Sequence, residues 1–410
     1  MRNSVRAFET RLRGLSMALA LVTVLLSALA APAAKGQTYN VLYTFTGGSD
    51  GAFPYYGSLV QDKAGSLYGT TQGGGSSGYG TVFKVTQGGT ETVLYSFTGG
   101  ADGGYPYAGL VLSGNALYGN TTYGGSEKCY DGYAYGCGVV FEVNIKARTE
   151  TVLHTFTGGS DGGYPWASLV EDDKGNLYGT TEDGGASGYG AVFEVVPKTK
   201  KETVLHSLDD KHGAYPYSGL TLNTTERVLF GTTRFGGSSD SGVVFSLAIG
   251  TGTYNVLYNF TGWSDGGAPW GTLALDPSGN LYGTTLYGGS DNCTYGCGTV
   301  FKVVPRTKKE SVLYSFPGGA SGYNPYSGVI RDKKGNLYGT ALRGGSSDCI
   351  GGCGTVFDVV KGAESVLHTF DGSDGAYPFC GLTMDSKGNL YGTTYTGGSD
   401  DWGVVWEITP

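Results

Sequence analysis

Residues 175–181 read Gly-Asn-Leu-Tyr-Gly-Thr-Thr, and the core of this phrase, Leu-Tyr-Gly-Thr-Thr, recurs along the whole chain with small variations. The aromatic residue of the phrase falls at Tyr68, Tyr118, Tyr178, Phe230, Tyr282, Tyr338 and Tyr391. Successive copies stand 50 to 60 residues apart. Self-similarity at a nearly fixed period is the signature of a repeat architecture, so the fold must be built from seven similar units.

Two further phrases recur with the first. Val-Leu-Tyr/His-x-Phe ends at Phe45, Phe97, Phe156, Leu208, Phe260, Phe316 and Phe370. Gly-Thr/Val-Val-Phe centres on Phe83, Phe141, Phe193, Phe245, Phe301, Phe357 and Trp406. In the third unit, residues 167–171, 176–181, 191–195 and 202–208 are rich in β-branched and aromatic residues, and turn residues separate them. Each unit is therefore predicted to contain four short β-strands.

Seven units of four strands predict an all-β fold, a seven-bladed β-propeller with four antiparallel strands per blade. No segment shows a helical period over ten residues. A sheet packed between neighbouring blades is buried on both faces, and this explains why many strands are apolar without clean alternation. A parallel β-helix is the main alternative, but its coils are shorter and do not need four dissimilar phrases per turn.

The order of the phrases also predicts how the ring closes. The chain begins with an outermost strand at residues 40–45 and ends with a third strand at 404–409. The last blade then takes residues 381–385, 389–394 and 404–409 from the C-terminal end and its outer strand from the N-terminal end. Such closure leaves no exposed sheet edge.

Residues 1–34 have the features of a secretory signal peptide. Four arginines precede an apolar stretch from Leu15 to Ala30, and small residues follow it. An uncleaved N-terminal anchor is the alternative, although about 16 apolar residues are short for a membrane span of ~20. Residues 35–410 are then a single propeller, with no membrane span after removal of the leader.

Composition and charge exclude several classes of protein. Glycine accounts for 75 of the 410 residues but shows no three-residue period, so the chain is not collagen-like. Charged residues make up only 15 % and aromatic residues 13 %, which argues against disorder. The formal net charge is −8, and it becomes −11 without the leader, which contains four Arg and one Glu. An acidic surface repels phosphate backbones, so we expect no nucleic-acid partner, and we expect a monomer.

The tandem phrases Gly-Asn-Leu-Tyr-Gly-Thr-Thr (residues 175–181) and Gly-Thr-Val-Phe (residues 298–301) resemble those of the bacterial GloVer repeat proteins. These proteins are called "choice-of-anchor" because they end in different sorting tails. The resemblance covers residues 39–410. It implies a bacterial exported protein but supplies no established activity or catalytic residue. Because this chain ends at Pro410, directly after the last strand, we expect a released form, secreted or periplasmic.

Six of the seven cysteines form close pairs in the glycine-rich loop that precedes Gly-x-Val-Phe. The pairs are Cys129/Cys137, Cys293/Cys297 and Cys349/Cys353. Export and local spacing predict three disulfides that staple these loops. A metal site would need clustered ligands, whereas these pairs lie in different units with no His nearby. Cys380 remains, at a position where two other units have Ser, and is predicted to be a small buried residue.

An aromatic residue follows the proline of each loop that joins an outer strand to the next unit. These residues are Tyr55, Tyr107, Trp166, Tyr217, Trp270, Tyr326 and Phe379, with Tyr56 an alternative to Tyr55 because the first unit has one extra residue. In a propeller they would ring the mouth of the channel, where aromatic rings suit sugar faces or apolar ligands. The structural interpretation is that they pack between blades, as residues present in every repeat commonly do.

Residues that break the repeat are further candidates for ligand binding, because symmetry does not explain them. Glu182, Asp183, Arg234 and Arg343 follow the Thr-Thr step and could orient a polar ligand, or they are solvated loop tips. Loop carboxylates recur at Asp50, Asp102, Asp161, Asp265 and Asp374; they could bind a cation or act as acids, but an Asx-type turn with the following Gly is the favoured interpretation. Outer-strand histidines are expected to pack at the rim; they are His154, His206 and His368.

The sequence contains no recognisable catalytic signature and predicts no cofactor or metal. The leading hypothesis is an exported, non-enzymatic binding module that uses the loop face for a glycan or a protein. The first alternative is a polysaccharide-active hydrolase or lyase with Asp161, Glu182, Asp183 and Arg234 near the channel mouth. The second is a structural component of the cell surface or an adhesin.

Overall fold

A computed structural model describes residues 37–125, 129 and 135–409 of the protein. The signal peptide predicted for residues 1–34 lies outside the described residues. The described chain forms seven four-stranded antiparallel sheets, so the prediction of a seven-bladed β-propeller is confirmed. The one helical element in these ranges is a 3-10 turn at Gly319–Ser321.

The strands follow the repeat phrases, and each blade runs from a short inner strand to a longer outer strand. Blades 1 to 3 contain β2 (Val60–Gln61), β3 (Leu67–Thr71), β4 (Thr81–Val85), β5 (Glu91–Ser96); β6 (Val111–Ser113), β7 (Ala116–Thr121), β8 (Val139–Asn144), β9 (Thr149–Thr155); and β10 (Val170–Glu171), β11 (Leu177–Thr181), β12 (Ala191–Val196), β13 (Lys201–Ser207). Blades 4 to 6 contain β14 (Thr221–Asn223), β15 (Val228–Thr233), β16 (Val243–Ala248), β17 (Tyr254–Asn259); β18 (Ala274–Leu275), β19 (Leu281–Thr285), β20 (Thr299–Val304), β21 (Lys309–Ser315); and β22 (Ile330–Arg331), β23 (Leu337–Ala341), β24 (Thr355–Val360), β25 (Ala363–Thr369).

Blade 7 joins the two ends of the chain, as predicted. Its inner strands are β26 (Thr383–Met384), β27 (Leu390–Thr394) and β28 (Val404–Thr409), and its outer strand is β1 (Thr38–Thr44). Strand β1 pairs antiparallel with β28, with Thr38 opposite Thr409 and Val41 opposite Trp406. The ring is thus held shut by hydrogen bonds rather than by the covalent chain.

Aromatic pairs between blades explain two of the repeated phrases. At five blade interfaces the Phe that follows the outer strand packs edge-on against the Phe of the third strand in the next blade. Phe97 and Phe141 have ring centroids 5.1 Å apart, and Phe260 and Phe301 have centroids 5.0 Å apart. Such pairs contribute roughly 0.5–1.5 kcal/mol beyond the burial of their area. Gly69 lies against the Phe83 ring, where an added Cβ would come within 2.7 Å of a ring carbon, so this step of the phrase requires glycine.

Asp-x-x-Gly turns join the first and second strands of several blades, among them blade 3. In blade 3 the Gly175 N–H donates to the Asp172 carbonyl at 3.0 Å, and Gly175 has a φ of 81°. The Asp172 carboxylate accepts the backbone N–H groups of Lys174 and Asn176, both at 2.9 Å. Burial acts to raise the pKa of the Asp172 carboxyl, but these hydrogen bonds outweigh it and hold the pKa below its usual value.

The three predicted disulfides are present, one in the glycine-rich loop of each of blades 2, 5 and 6. They join Cys129 to Cys137, Cys293 to Cys297 and Cys349 to Cys353. The second cysteine of each pair is fully buried, with no exposed area at Cys137, Cys297 or Cys353.

These three cysteines belong to the hydrophobic clusters between blades rather than to the loop surface. Cys137 packs in the cluster that contains Phe156 and Phe193, Cys297 in that of Phe316, and Cys353 in that of Phe370. The physical reason is that each precedes the third strand of its blade by one glycine, where the chain already enters the core, and that sulfur is readily buried among apolar groups. Each disulfide therefore anchors its loop to the core, and Cys137 and Cys353 are structural residues with no surface for a ligand.

Cys380 is buried as well, and its Sγ contacts the backbone of Thr393, which agrees with a small packing residue. Within the described ranges we find no helix with the length and hydropathy that crossing a membrane requires.

Candidate functional site

The connections between blades and the glycine-rich loops emerge together on one face, called here the loop face. Short antiparallel bridges tie the two kinds of loop, for example Gly163 with Asp183 and Gly267 with Tyr287. The residue before each loop proline has a left-handed backbone, with φ between 50° and 57°, at Phe53, Tyr105, Tyr164, Tyr215, Ala268, Asn324 and Tyr377. This conformation is costly for residues other than glycine, so all seven loops share one constrained shape.

The seven aromatic residues after the prolines form a closed ring around the propeller axis. Each centroid lies 4.4–5.7 Å from the next, in the order Tyr55, Tyr107, Trp166, Tyr217, Trp270, Tyr326 and Phe379 and back to Tyr55. We call this set the aromatic ring. The structure therefore brings together all seven residues that the sequence nominated.

Tyr56, the extra residue of the first unit, fills the middle of the aromatic ring. Its side chain stacks on Trp270 with centroids 5.8 Å apart, and it lies 5.7 Å from Phe379 and 6.2 Å from Trp166. A cavity of about 410 Å³ lies between the inner strands next to Tyr56. Because the ring members cover one another and Trp270 is only 9 % exposed, their faces serve mainly to close the channel.

In several blades the residue after the Thr-Thr step contacts the aromatic ring, and its chemistry differs from blade to blade. In blade 1 the Gln72 amide donates to the Tyr107 hydroxyl at 3.2 Å. In blade 3 the Glu182 carboxylate accepts both the indole N–H of Trp166 and the hydroxyl of Tyr217. In blade 4 this residue is Arg234. The charged contacts to the ring therefore gather on blades 3 to 5.

Burial and neighbouring charges set the electrostatics of this sector. Burial raises the pKa of the Glu182 carboxyl, and the negative charge of Asp183 raises it further, while the hydrogen bonds from Tyr217 and Trp166 act against them. The Arg234 guanidinium lies 4.4 Å from the centroid of Trp270 and 5.4 Å from that of Tyr217. Such cation–π contacts hold a charge against apolar rings. The buried Nε of Arg234 has no hydrogen-bond partner among the described residues.

Two clefts open on the loop face beside this charged sector. The tyrosine cleft, between blades 2 and 3, has a volume of about 480 Å³ and is lined by Tyr105, Tyr107, Tyr123, Tyr135, Tyr164, Glu182 and Asp183. The tryptophan cleft, between blades 4 and 5, has a volume of about 890 Å³, and its main side chains are Arg234, Phe235, Asp240, Trp263, Tyr287, Asp291 and Tyr295. Both volumes are typical of sites for small ligands.

Sequence reasoning missed the cleft residues Trp263 and Tyr295. Both are strongly exposed, at 78 % and 79 %. A signal was available, because each stands where an equivalent loop has glycine, Gly100 for Trp263 and Gly351 for Tyr295. At the Trp263 position glycine is the repeated residue, whereas the position of Tyr295 is Tyr135 in blade 2 and Gly351 in blade 6.

Other nominated residues lie apart from this sector. Arg343 donates from Nη1 to the Ile350 carbonyl at 3.2 Å, within the loops of blade 6. Asp161 accepts the backbone N–H of Thr157 at 3.0 Å and lies 3.4 Å from the His154 ring nitrogen at the rim.

The loop carboxylates stabilise their turns, but not in the predicted way. Instead of an Asx-type turn with the following Gly, each of Asp50, Asp102, Asp161 and Asp265 accepts hydrogen bonds from a Thr four residues earlier. Among the described residues no three His, Cys, Asp or Glu side chains cluster as metal ligands would.

Comparison with solved structures finds other propellers at low sequence identity. The GH74 xyloglucanase of Xanthomonas campestris has a TM-score of 0.58 and 14 % identity, over 89 % of this chain and 54 % of that one. The extracellular domain assigned to a hybrid two-component system of B. thetaiotaomicron has a TM-score of 0.55 and 12 % identity, over 91 % and 41 %. An oligogalacturonate lyase of Vibrio parahaemolyticus has a TM-score of 0.50 and 10 % identity, over 87 % and 89 %. Likeness at this level concerns the fold alone.

Comparison with curated protein sequences finds no match. The Gloeobacter/Verrucomicrobia repeat profile, by contrast, matches residues 31–130, 128–294 and 228–410, which together cover the propeller. The tandem phrases quoted from the sequence fall within these matches. The chain therefore belongs to the Gloeobacter/Verrucomicrobia repeat family.

Proposed function

We propose that the protein is an exported, non-enzymatic binding module that recognises a glycan on the loop face, at the tyrosine cleft. The observation that carries the proposal is the placement of Glu182. The aromatic ring fixes its carboxylate through Trp166 and Tyr217, and the same side chain forms part of the cleft wall. A rigid carboxylate beside open aromatic surface is suited to orient a polar ligand that also has apolar faces.

The chemistry of the cleft favours a sugar. Tyrosine rings offer flat apolar surface with a polar edge, which matches the C–H faces and hydroxyls of a pyranose. Glu182 and Asp183 accept hydrogen bonds from hydroxyl groups. The cleft is concave rather than flat, unlike the surface of a standard protein interface. The net charge of −8 disfavours polyanionic ligands.

A hydrolase or lyase is the second candidate, and one observation favours it. Burial raises the pKa of the Glu182 carboxyl, and Asp183 is its neighbour in sequence and in the cleft. Paired carboxyls in different environments are the usual machinery of glycoside hydrolysis. Turnover of a polysaccharide that is abolished by Glu182→Gln would establish catalysis.

The binding proposal is tested by affinity electrophoresis in gels that contain neutral polysaccharides. We expect at least one of them to retard the wild type. Tyr135, 67 % exposed in the tyrosine cleft, is the probe residue because the equivalent position of blade 6 is Gly351. Tyr135→Gly should weaken binding about tenfold, or ~1.4 kcal/mol. The matched control is Ile350→Gly, which removes a side chain 88 % exposed outside both clefts. Failure of every gel to retard the wild type refutes the proposal.

We also propose that the protein is exported from the cytoplasm. Three disulfides, each within one glycine-rich loop, fit an oxidising compartment. N-terminal sequencing of the protein from culture medium and periplasm tests it: a start near residue 35 is expected, and a cytoplasmic protein with reduced cysteines would contradict it.

A further inference from the structure

The tryptophan cleft contains two aromatic side chains that the fold does not require. Trp263 lies in the connection from β17 to β18, and the equivalent residues in three other connections are Gly48, Gly100 and Gly159. Those connections adopt the same turn, in which a Thr donates to an Asp four residues later. The indole is 78 % exposed, so the fold gains little from its burial.

Tyr295 is the second such residue, and its backbone is strained. It lies in the glycine-rich loop of blade 5, and its counterpart in blade 6 is Gly351. Both have left-handed backbones, with φ of 70° for Tyr295 and 77° for Gly351. A non-glycine residue costs free energy in this region, and its ring is 79 % exposed. Strain without compensating burial points to a role in binding.

Both rings line one cleft, together with polar groups at defined places. Tyr287 lies 6.0 Å from Tyr295, between centroids, and extends the aromatic wall. Asp240 and Asp291 provide carboxylates, and Asp240 is held by the Gly236 N–H at 2.9 Å. The negative charge of these two groups disfavours an acidic sugar, whereas carboxylates beside aromatic rings suit the hydroxyls and C–H faces of a neutral one.

A continuous set of contacts connects the two clefts. Glu182 belongs to the tyrosine cleft and accepts the Tyr217 hydroxyl. Arg234 packs over Tyr217 and Trp270, and its side chain belongs to the tryptophan cleft. Neighbouring sites that share such a rigid wall can bind two parts of one extended ligand.

We propose that the tryptophan cleft is a second sugar-binding subsite, and that one extended neutral oligosaccharide occupies both clefts. This inference rests on the proposed function and adds to it the length and charge of the ligand. Occupancy of two subsites by one chain makes the second contact intramolecular, so affinity should increase with chain length.

The experiment uses the neutral polysaccharide that retards the wild type most strongly, together with its short and long fragments of about three and about eight sugar units. Titration calorimetry of the full propeller measures both fragments. We expect Trp263→Gly and Tyr295→Gly each to weaken binding of the long fragment about tenfold and to leave the short fragment within about twofold. Because glycine is tolerated at the equivalent positions Gly100 and Gly351, both variants should fold, and their melting temperatures check this. Ile350→Gly is the control.

Fluorescence gives an independent result. The long fragment should shift the tryptophan emission of the wild type to shorter wavelength, and Trp263→Gly should lose this shift. If Tyr135→Gly weakens binding but both tryptophan-cleft variants bind the long fragment as the wild type does, the second subsite is wrong and the proposed function stands. If no polysaccharide retards the wild type, both are wrong.

Discussion

Replacing Glu91, Glu150 and Glu310 by Gln should stabilise the propeller at neutral pH and reduce its loss of stability above pH 5. Each glutamate lies in the fourth strand of a blade, next to a loop Asp of the preceding blade, and one of its carboxylate oxygens is buried without a hydrogen-bond partner in the described residues. Burial raises the pKa of all three carboxyls to about 7, and the neighbouring Asp charge adds to the effect.

The sign of the effect follows from proton binding. The pKa is 4.5 in the unfolded chain and about 7 in the fold, so between these values the native state binds more protons than the unfolded state. Stability is therefore full below pH 4.5 and decreases as the pH rises to about 7. The loop carboxyls have the opposite effect on stability at lower pH. Burial acts to raise the pKa of Asp50, but hydrogen bonds from Thr46 outweigh it and lower the pKa. The stabilisation that the Asp50 carboxylate provides is therefore lost on acidification. Stability should be greatest near pH 5.

The magnitude follows from the difference between 4.5 and about 7, which corresponds to roughly 3 kcal/mol for a fully buried group. These side chains are only partly buried, so solvent screening reduces the effect to about 1 kcal/mol each. The three sites lie at different blade interfaces and should act independently, giving about 3 kcal/mol for the triple variant at pH 8.

Urea unfolding between pH 4.5 and 8, followed by tryptophan fluorescence, measures the effect. The triple variant should lose stability clearly less steeply than the wild type over this range. Glu226→Gln, at an exposed turn, removes the same charge and should leave the profile of the wild type unchanged. A wild-type stability that is constant or increases from pH 4.5 to 7 would refute the reasoning.

Three further predictions concern stability. Replacing Cys293 and Cys297 by Ser should lower the free energy of unfolding by about 2 kcal/mol, because the disulfide restricts the unfolded chain. Urea unfolding without reductant measures the effect, and an unchanged midpoint would contradict the prediction. Tyr56→Ala should lower the free energy of unfolding by about 2 kcal/mol and increase acrylamide quenching of tryptophan, because the side chain that closes the channel is lost. Unaltered quenching would show that Tyr56 does not close the channel. Gly69→Ala should lower the melting temperature by an amount equivalent to about 2 kcal/mol, because the new methyl would lie 2.7 Å from an aromatic carbon. The control Gly88→Ala should have little effect, because its methyl would meet only Thr86 at 3.9 Å. Equal losses of stability in the two variants would show that the clash at Gly69 is relieved.

The blade number, the strand order and the closure of blade 7 could be predicted because they depend on local patterns. Each phrase carries its own strand or turn signal, and the order of the phrases dictates which strand is missing at each end. The disulfide pairing was predictable for the same reason, since each pair lies within one loop. The complete burial of Cys137 and Cys353 was not, because it depends on the neighbouring blade that covers them.

The candidate site was only partly predictable. Glu182 and Arg234 could be predicted because they differ from the residues of the other repeats. The aromatic ring could be predicted because every repeat has an aromatic residue at that position. The tryptophan cleft was not found, because Trp263 and Tyr295 lie 32 residues apart in loops whose approach depends on packing between blades. The hydrogen-bond partner of Asp50 could not be predicted either, because its side chain can accept from an earlier residue such as Thr46 as easily as from a later one.

The sequence by itself determined the unit, its number and the order of its strands, since hydrophobic pattern and turn chemistry act over a few residues at a time. Only the tertiary structure decided that Tyr55 joins the aromatic ring while Tyr56 fills its centre, and that Glu182 and Arg234 meet across Tyr217. Those outcomes depend on how seven sheets pack around one axis, where side chains from distant parts of the chain compete for the same space.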